Sequence, residues 1–316
     1  MTGCVPRRLV SAPGEMRVEW LATDGSAYTE AFFDATLLRF RRLPANRPRP
    51  PPSTPASVLR KIEGDAPDAL IFHVSRCGST LVARMLAALP DHVVLSEPPI
   101  IDDVLQLHRH RRDVTDDDRI ALLRGTVAAT ARAAPGGHRR LFVKLDAWSI
   151  FELPLIRRAF PLTPLLFLHR HPLEVLVSLI RRPSLTLVRG TVTPAQLGLT
   201  VAERDALSPE EHAAAILGAF FRAARAFRDA VIPVGYEQLP RFVWDAMPGC
   251  AFDPAEQALL AKAAAGDPKN QDAPFTPDAE EKRRAATPAL IAAAQRWCLP
   301  AYEAFLATCP AAMPAR

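Results

Sequence analysis

The sequence predicts an α/β fold in which a mostly parallel central sheet is flanked by helices. Two observations lead there. Short apolar runs of strand length recur from about residue 69 to 236 and alternate with segments of helical spacing. The runs are apolar throughout, as strands covered on both faces are. A third observation concerns function. The first run, from Ala69, turns through Ser75-Arg76-Cys77-Gly78-Ser79-Thr80 into a helical pattern with Leu81, Val82, Met85, Leu86 and Leu89 on one face.

Residues 1–45 read as a small N-terminal α+β appendage. Met16-Arg17-Val18-Glu19-Trp20 alternates like a strand, and Tyr28 to Phe40 has helical spacing through Phe32, Phe33, Leu37 and Leu38. These aromatics read as core or docking residues. Residues 46–56 are a Pro-rich linker of extended preference. The main domain is predicted over 57–316. After its first strand and helix, further strands are expected at Val93-Val94-Leu95, Leu141 to Leu145, Leu165 to His169 and Ala230 to Tyr236. Helices are expected from Ile101 to Leu107, up to about Arg132, from Ile150 to Phe160, from Leu173 to Ile180 and from Glu210 to Arg228. Arg182 to Pro209 reads as irregular and is a candidate lid.

Composition narrows the function classes. The chain has 316 residues, 49% of them hydrophobic and 23% charged, which is neither a disordered nor a membrane composition. The net charge of +5 suits an anionic ligand, but no Lys/Arg block is long enough to track a nucleic acid. Basic residues are mostly Arg. Lys occurs only at positions 61, 144, 262, 269 and 282, so each Lys is the more informative. Cys4, Cys77, Cys250, Cys298 and Cys309 form no C-x-x-C pair, so neither a disulfide framework nor a metal site is expected. No apolar run approaches the ~20 residues of a membrane span, and Arg7 and Arg8 precede no signal-like apolar segment. A cytoplasmic setting is the expectation.

In a parallel sheet, ligands bind beyond the carboxyl ends of the strands. The residues at those ends are Arg76, Gly78, Ser79 and Thr80; Ser96 and Glu97; Lys144; His169, Arg170 and, further on, Ser178; then Tyr236 and Glu237. The first backbone N–H groups of a helix that follows a tight turn are unpaired and favour an anion. Arg76 adds a cationic fork and Ser79 and Thr80 add hydroxyls. The same stretch is also ordinary α/β architecture capped by Ser or Thr. Glu97 is either a base or a residue that complements the helix beginning near Pro98. His73, His169 and His171 read as packing or supporting residues. The Walker spacing is absent.

Ser75-Arg76-Cys77-Gly78-Ser79-Thr80 resembles the 5′-phosphosulfate loop of sulfotransferases that use 3′-phosphoadenylyl sulfate (PAPS). Leu168 to Ser178, with Arg170 before a Pro and Ser178 eight residues later, is similar to their 3′-phosphate motif. Val234-Gly235-Tyr236-Glu237-Gln238-Leu239 is similar to a Tyr-Glu-x-Leu that follows a later strand. The resemblance covers roughly 69–239 and is nearest the bacterial, carbohydrate-type branch. It implies a P-loop-like fold and PAPS as co-substrate without a metal. The cofactor-binding residues it implies are Ser75, Arg76, Cys77, Gly78, Ser79, Thr80, Arg170 and Ser178, with the Cys77 thiol a spectator. Arg76 would hold the transferring group. Glu97 falls where Glu-using members keep the base, although many small-molecule members use a His, and Lys144 falls near a Lys that touches sulfate or acceptor. The family's late Arg-Lys-Gly signature is missing, and Lys269 is the candidate substitute.

The reaction so implied is sulfuryl transfer to a hydroxyl of a small molecule or glycan. By analogy with phosphoryl transfer, positioning and charge stabilisation do most of the work. Glu97 serves as base on this reading if its surroundings raise its proton affinity. The alternatives are an ATP-dependent kinase on a similar fold and a non-catalytic nucleotide- or phosphate-binding protein. The acceptor, the oligomeric state and the role of the appendage are not readable from the sequence.

Overall fold

The structure is a computed structural model that describes residues 3–12, 14–47, 50–266 and 279–309. Its eight strands are β1 (Cys4–Ala12), β2 (Glu15–Ala22), β3 (Ser53–Pro55), β4 (Ala69–His73), β5 (His92–Ser96), β6 (Arg140–Lys144), β7 (Leu165–His169) and β8 (Ile232–Gly235). Of the helices, α1 (Phe33–Arg41), α2 (Ser79–Ala87), α3 (Pro99–Leu105), α4 (Asp116–Arg132), α5 (Leu153–Ala159) and α6 (Pro172–Arg181) come first. They are followed by α7 (Pro194–Leu197), α8 (Val201–Asp205), α9 (Pro209–Ala226), α10 (Arg241–Asp245), α11 (Pro254–Ala265), α12 (Ala279–Arg284), α13 (Pro288–Trp297) and α14 (Leu299–Leu306).

The central sheet has the order β5-β6-β4-β7-β8. Every neighbouring pair in it is parallel. All five residues of β4, of β5 and of β7 are buried, which accounts for their uninterrupted apolar character. From β4 the chain runs outward to β5 and back to β6, then crosses to β7 and β8 on the other side. That reversal puts the topological switch point at β4, where α/β sheets bind ligands. On one face Phe167 of β7 meets Phe221 of α9 and Phe305 of α14, with ring centroids 6.1 and 5.3 Å away.

A second sheet, β1-β2-β3, is antiparallel. Sequence patterning alone assigns Ser53–Pro55 to the linker, whereas Thr54 pairs with Val18 and accepts a 2.9 Å hydrogen bond from the Trp20 indole. A proline is tolerated there because β3 is an edge strand. The small sheet is fastened to the main body by Arg8 and by the Leu9 N–H, both on the Asp103 carboxylate at 2.7 and 2.9 Å. The Tyr28 hydroxyl donates to the Thr130 carbonyl of α4 at 2.9 Å.

The segment 182–209, expected to be irregular, contains α7 and α8. Thr193 with Gln196 and Thr200 with Glu203 form reciprocal capping boxes. The S/T-x-x-E/Q pattern that starts such helices was present but outweighed by the Pro and Gly around it. Lys269 lies outside the described residues. Among the described residues no helix is long and apolar enough to cross a membrane.

The short 3-10 turn Ala56–Lys61 packs on α4 at Gly125, where an added Cβ would stand 1.8 Å from the Leu59 carbonyl oxygen. Gly→Ala in a helix interior ordinarily gains about 1 kcal/mol, and a backbone overlap of this kind costs about 1–3 kcal/mol or more. Gly125→Ala is therefore expected to destabilise the protein, read as a lower denaturation midpoint in urea. An unchanged or raised midpoint would show that this turn does not dock on α4.

Candidate active site

One cavity of about 1110 Å³ opens at the carboxyl edge of the central sheet. Ser75, Arg76, Gly78, Ser79, Thr80, Glu97, Arg170 and Ser178 all line it. Cys77 and Lys144 do not. The Cys77 side chain is fully buried and its thiol donates to the Leu168 carbonyl at 3.2 Å. Burial pushes that thiol up to about 11, so it stays protonated. Lys144 is fully buried beneath the cavity wall.

The turn after β4 has an unusual backbone. Ser75, Arg76 and Gly78 adopt φ of 65°, 53° and 87°. Left-handed non-glycine residues are uncommon and cost roughly 1–3 kcal/mol each. Consecutive turns of this kind aim backbone N–H groups into a shared concavity. Gly78 is the N-cap of α2 and no side chain caps the helix, so its first-turn N–H groups face the cavity. With φ of 87° Gly78 adopts a conformation that other residues reach only under strain, and an added Cβ would also displace Leu239 Cδ1, 2.6 Å away. The Arg76 Nε is buried with no hydrogen-bond partner in the described structure, and burial followed by the nearby Arg182 lowers the Arg76 pKa. An anion arriving here meets a guanidinium short of counter-charge.

Arg170 leaves β7 just before α6, is 4% exposed, and pairs with Glu174 at 2.6 Å. Its guanidinium lies 3.9 Å over the Tyr236 ring. Glu174 also accepts from Arg283 of α12 at 2.8 Å. Lys282, next to Arg283, lines the cavity. The sequence analysis missed Arg283. The Lys-Arg-Arg run at 282–284 was the available signal, in the region where the late basic signature was sought.

Glu97 sits one residue past β5 with φ 57°, also left-handed. Its carboxylate takes the Lys144 ammonium at 2.6 Å and the His73 Nε2 at 3.1 Å. His73 Nδ1 accepts the Ser75 N–H at 3.0 Å, which fixes the neutral tautomer with Nε2–H donating to Glu97. Burial lowers the His73 pKa. For Glu97, burial pushes upward, but Lys144 and His73 outweigh it and hold the carboxyl at about 2. This is the reverse of the raised proton affinity that a base role was expected to need. Glu97 makes no side-chain cap to α3, whose N-cap is Pro98, and its carboxylate is directed to Lys144 instead. Lys144 further donates to Ser96 Oγ at 3.3 Å and lies 4.7 Å from the Phe32 ring centroid.

His169 packs among Phe167, Tyr302 and Phe305, and burial brings it down to about 4. Asp146, two residues past Lys144, lines the cavity and was missed. Its place at the tip of β6 was the signal.

Residues 67–242, more than half of the chain, match the sulfotransferase family. The chain belongs to the sulfotransferase family. Similar solved structures include a sulfotransferase domain from the curacin biosynthetic pathway at 16% identity, covering 65% of this chain and 80% of that one with a TM-score of 0.38. A sulfotransferase from Alicyclobacillus acidocaldarius is 18% identical over 76% of this chain and 100% of its own, with a TM-score of 0.38. One from Mycobacterium avium is 15% identical over 71% and 67%, with a TM-score of 0.35. No curated protein sequence matches the chain. Family membership makes this protein an enzyme of sulfuryl transfer on a P-loop-like fold. The kinase and the non-catalytic alternatives give way to it.

In this sulfotransferase the Glu97 carboxyl, ordinarily near 4.5, is held at about 2. A folded-state pKa below the unfolded one gives stability that is full above the unfolded value and lost as pH falls through the folded value. Removing one partner of a buried pair costs about 3–5 kcal/mol. Lys144→Met is expected to lose stability of that order at pH 7, measured by urea denaturation. The gap to the unsubstituted protein should narrow between about pH 4.5 and about pH 2. A gap independent of pH would mean that Lys144 acts through packing alone.

Proposed function

We propose that this sulfotransferase takes its sulfuryl group from PAPS and delivers it to a hydroxyl of a small-molecule or glycan acceptor, with Glu97 receiving the proton. The observation that carries this reading is that Arg76, Arg170 and Glu97 share one cavity with the uncapped start of α2. The partnerless Arg76 Nε and the left-handed run at Ser75, Arg76 and Gly78 fit a bound anionic group.

Bound there, PAPS presents an electron-poor sulfur attached to a stable leaving phosphate. The backbone of residues 75–80 with the Ser79 and Thr80 hydroxyls holds the 5′-phosphate. Arg76 lies against the oxygens of the transferring group. Arg170 and Ser178 hold the 3′-phosphate, with Lys282 and Arg283 of α12 nearby. The acceptor oxygen forms a bond to sulfur as the sulfur–phosphate oxygen bond breaks, and the hydroxyl proton passes to Glu97. A weak base suffices, because an oxygen already bonded to sulfur is strongly acidic and gives up its proton late. His73 and Lys144 keep the carboxylate ionised and aimed. Lys144, being buried, is a positioning residue for Glu97 rather than a contact to substrate. Five free cysteines fit a cytoplasmic setting.

Adenosine 3′,5′-bisphosphate is expected to raise the melting temperature, and ATP–magnesium to raise it less. Stabilisation by ATP–magnesium alone would overturn the donor assignment. A charge-assisted hydrogen bond is worth about 1.5–3 kcal/mol, so Arg170→Ala should weaken the bisphosphate roughly 10- to 100-fold. It should weaken adenosine 5′-monophosphate far less, and equal losses for both would remove Arg170 from the 3′-phosphate site.

Glu97→Gln should retain bisphosphate binding while turnover of transferred labelled sulfate falls about 10²–10⁴-fold. Unchanged turnover would take Glu97 out of the mechanism.

A further inference from the structure

We infer that the acceptor is an amphiphilic organic cation, a hydroxyl-bearing amine with an apolar body, held at the β5–β6 end of the cavity by Asp34, Asp146 and Phe32. The inference rests on the sulfuryl-transfer reading above and names the substrate class of that site. The cavity is electrically divided along the sheet. Arg170, Arg181 and Lys282, with Glu281 paired to Arg181, line its β7–β8 end, while Asp34, Glu97, Asp102, Asp103 and Asp146, with Arg8 paired to Asp103, line the other. Strands are ~4.8 Å apart, so the three steps from β7 to β5 separate the two ends by roughly 14 Å.

Three of these carboxylates are already answered. Glu97 has Lys144 at 2.6 Å. Asp103 has Arg8 at 2.7 Å. Asp102 accepts the Trp148 indole N–H at 2.7 Å. Among the described residues, Asp34 and Asp146 make no side-chain hydrogen bond or ion pair, and both face the cavity. Asp146 stands in the field of Glu97, Asp102 and Asp34, with Lys144 opposing. Burial, then Glu97 and Asp102, hold its carboxyl well above the usual range. These carboxyls do not gather as metal ligands, since among the described residues no three His, Cys, Asp or Glu could hold one ion.

The cavity is also apolar where it is open. Phe32, Leu38 and Leu185 are 41%, 55% and 68% exposed, and all three line this cavity. Large exposed hydrophobics converging on one cavity mark a ligand surface. The hydroxyls of a neutral glycan can donate to these carboxyls but leave their charge uncompensated and the exposed Leu38 and Leu185 uncovered, and an anionic acceptor is repelled. A cation with an apolar body satisfies both.

The test uses the full-length enzyme saturated with adenosine 3′,5′-bisphosphate and four alcohols on one apolar skeleton, bearing a primary amine, a trimethylammonium, a neutral amide or a carboxylate. Affinity is read by calorimetry, and sulfate transfer from PAPS by kcat/KM with the bisphosphate omitted. The two cations are expected to bind and react at least about tenfold better than the amide, and the carboxylate worst. The trimethylammonium keeps charge recognition separate from transfer to nitrogen. Asp34→Asn with Asp146→Asn should bring the cation-to-amide ratio close to one. Asp34→Asn alone, at an exposed position, gives a partial fall should the double variant not fold. Equal or better binding of the amide or carboxylate, an unchanged ratio in the variants, or no binding of any member overturns the inference while the donor reading stands. Failure of the bisphosphate itself to bind overturns that reading, and the inference with it.

Discussion

A lysine with no solvent exposure at the tip of β6 must be neutralised in place, and that requirement organises the catalytic edge. Taking an ammonium out of water costs several kcal/mol unless a charge partner and further hydrogen bonds are supplied. Lys144 lies in register with Ser96 of β5 on one side and Ile71 of β4 on the other. The carboxylate that pairs with it is one residue beyond Ser96. Glu97 reaches it by taking a left-handed backbone conformation, at a strain of about 1–3 kcal/mol that the ion pair and the His73 hydrogen bond offset. The Glu97 N–H also donates to the Lys144 carbonyl at 2.7 Å, which anchors the same residue through its backbone. One pair thus ties the tips of β4, β5 and β6 together, and Phe32 from the N-terminal part of the chain covers it.

On the other side of the switch point the charges are reversed in role. There Arg170 is the buried ion and Glu174, one helical turn on, is its partner. Glu174 is shared with Arg283, so the same carboxylate that orients Arg170 also draws α12 toward the cavity. The stack of Arg170 on Tyr236 brings in the end of β8. Each half of the site is therefore built from an ion pair whose members come from different elements. The glycine at 78 lets the turn after β4 fit between the halves.

The sheet was legible because its strands are buried on both faces and so are apolar without a break. The runs at 69–73, 92–96, 140–144 and 165–169 needed no tertiary information. The edge strand β3 was not legible, since Ser53, Thr54 and Pro55 carry no strand pattern and pair only because β2 is beside them. At the candidate site, residues that end strands could be read off as a set, and of these Arg76, Arg170 and Glu97 line one cavity while Lys144 lies buried against Glu97. Their partners were not. That His73 holds Glu97, that Phe32 covers Lys144 and that Arg283 shares Glu174 are contacts across 24, 112 and 109 positions of sequence. The direction of the Glu97 shift was lost for the same reason, because a carboxylate's proton affinity is set by neighbours that the local sequence does not contain.

The two-ended cavity bears on orientation and on turnover. On the proposed function, a bisphosphorylated nucleotide, with negative charge at both ends of its ribose, would be disfavoured at the wall that bears Asp34, Asp102 and Asp146 and drawn to Arg76 and Arg170. Its sulfuryl group would then face the carboxylate wall, where the inferred acceptor would lie. If the acceptor is the cation inferred above, it would lie among anions before transfer and be held. Transfer places a sulfate anion on that acceptor, directly against Glu97 and its acidic neighbours, and the attraction is offset by repulsion. The product then leaves a surface that bound the substrate. The same repulsion acts on the nucleotide only weakly, because its phosphates stay at the arginine end. Differential binding of this kind favours departure of the sulfated product ahead of the spent nucleotide.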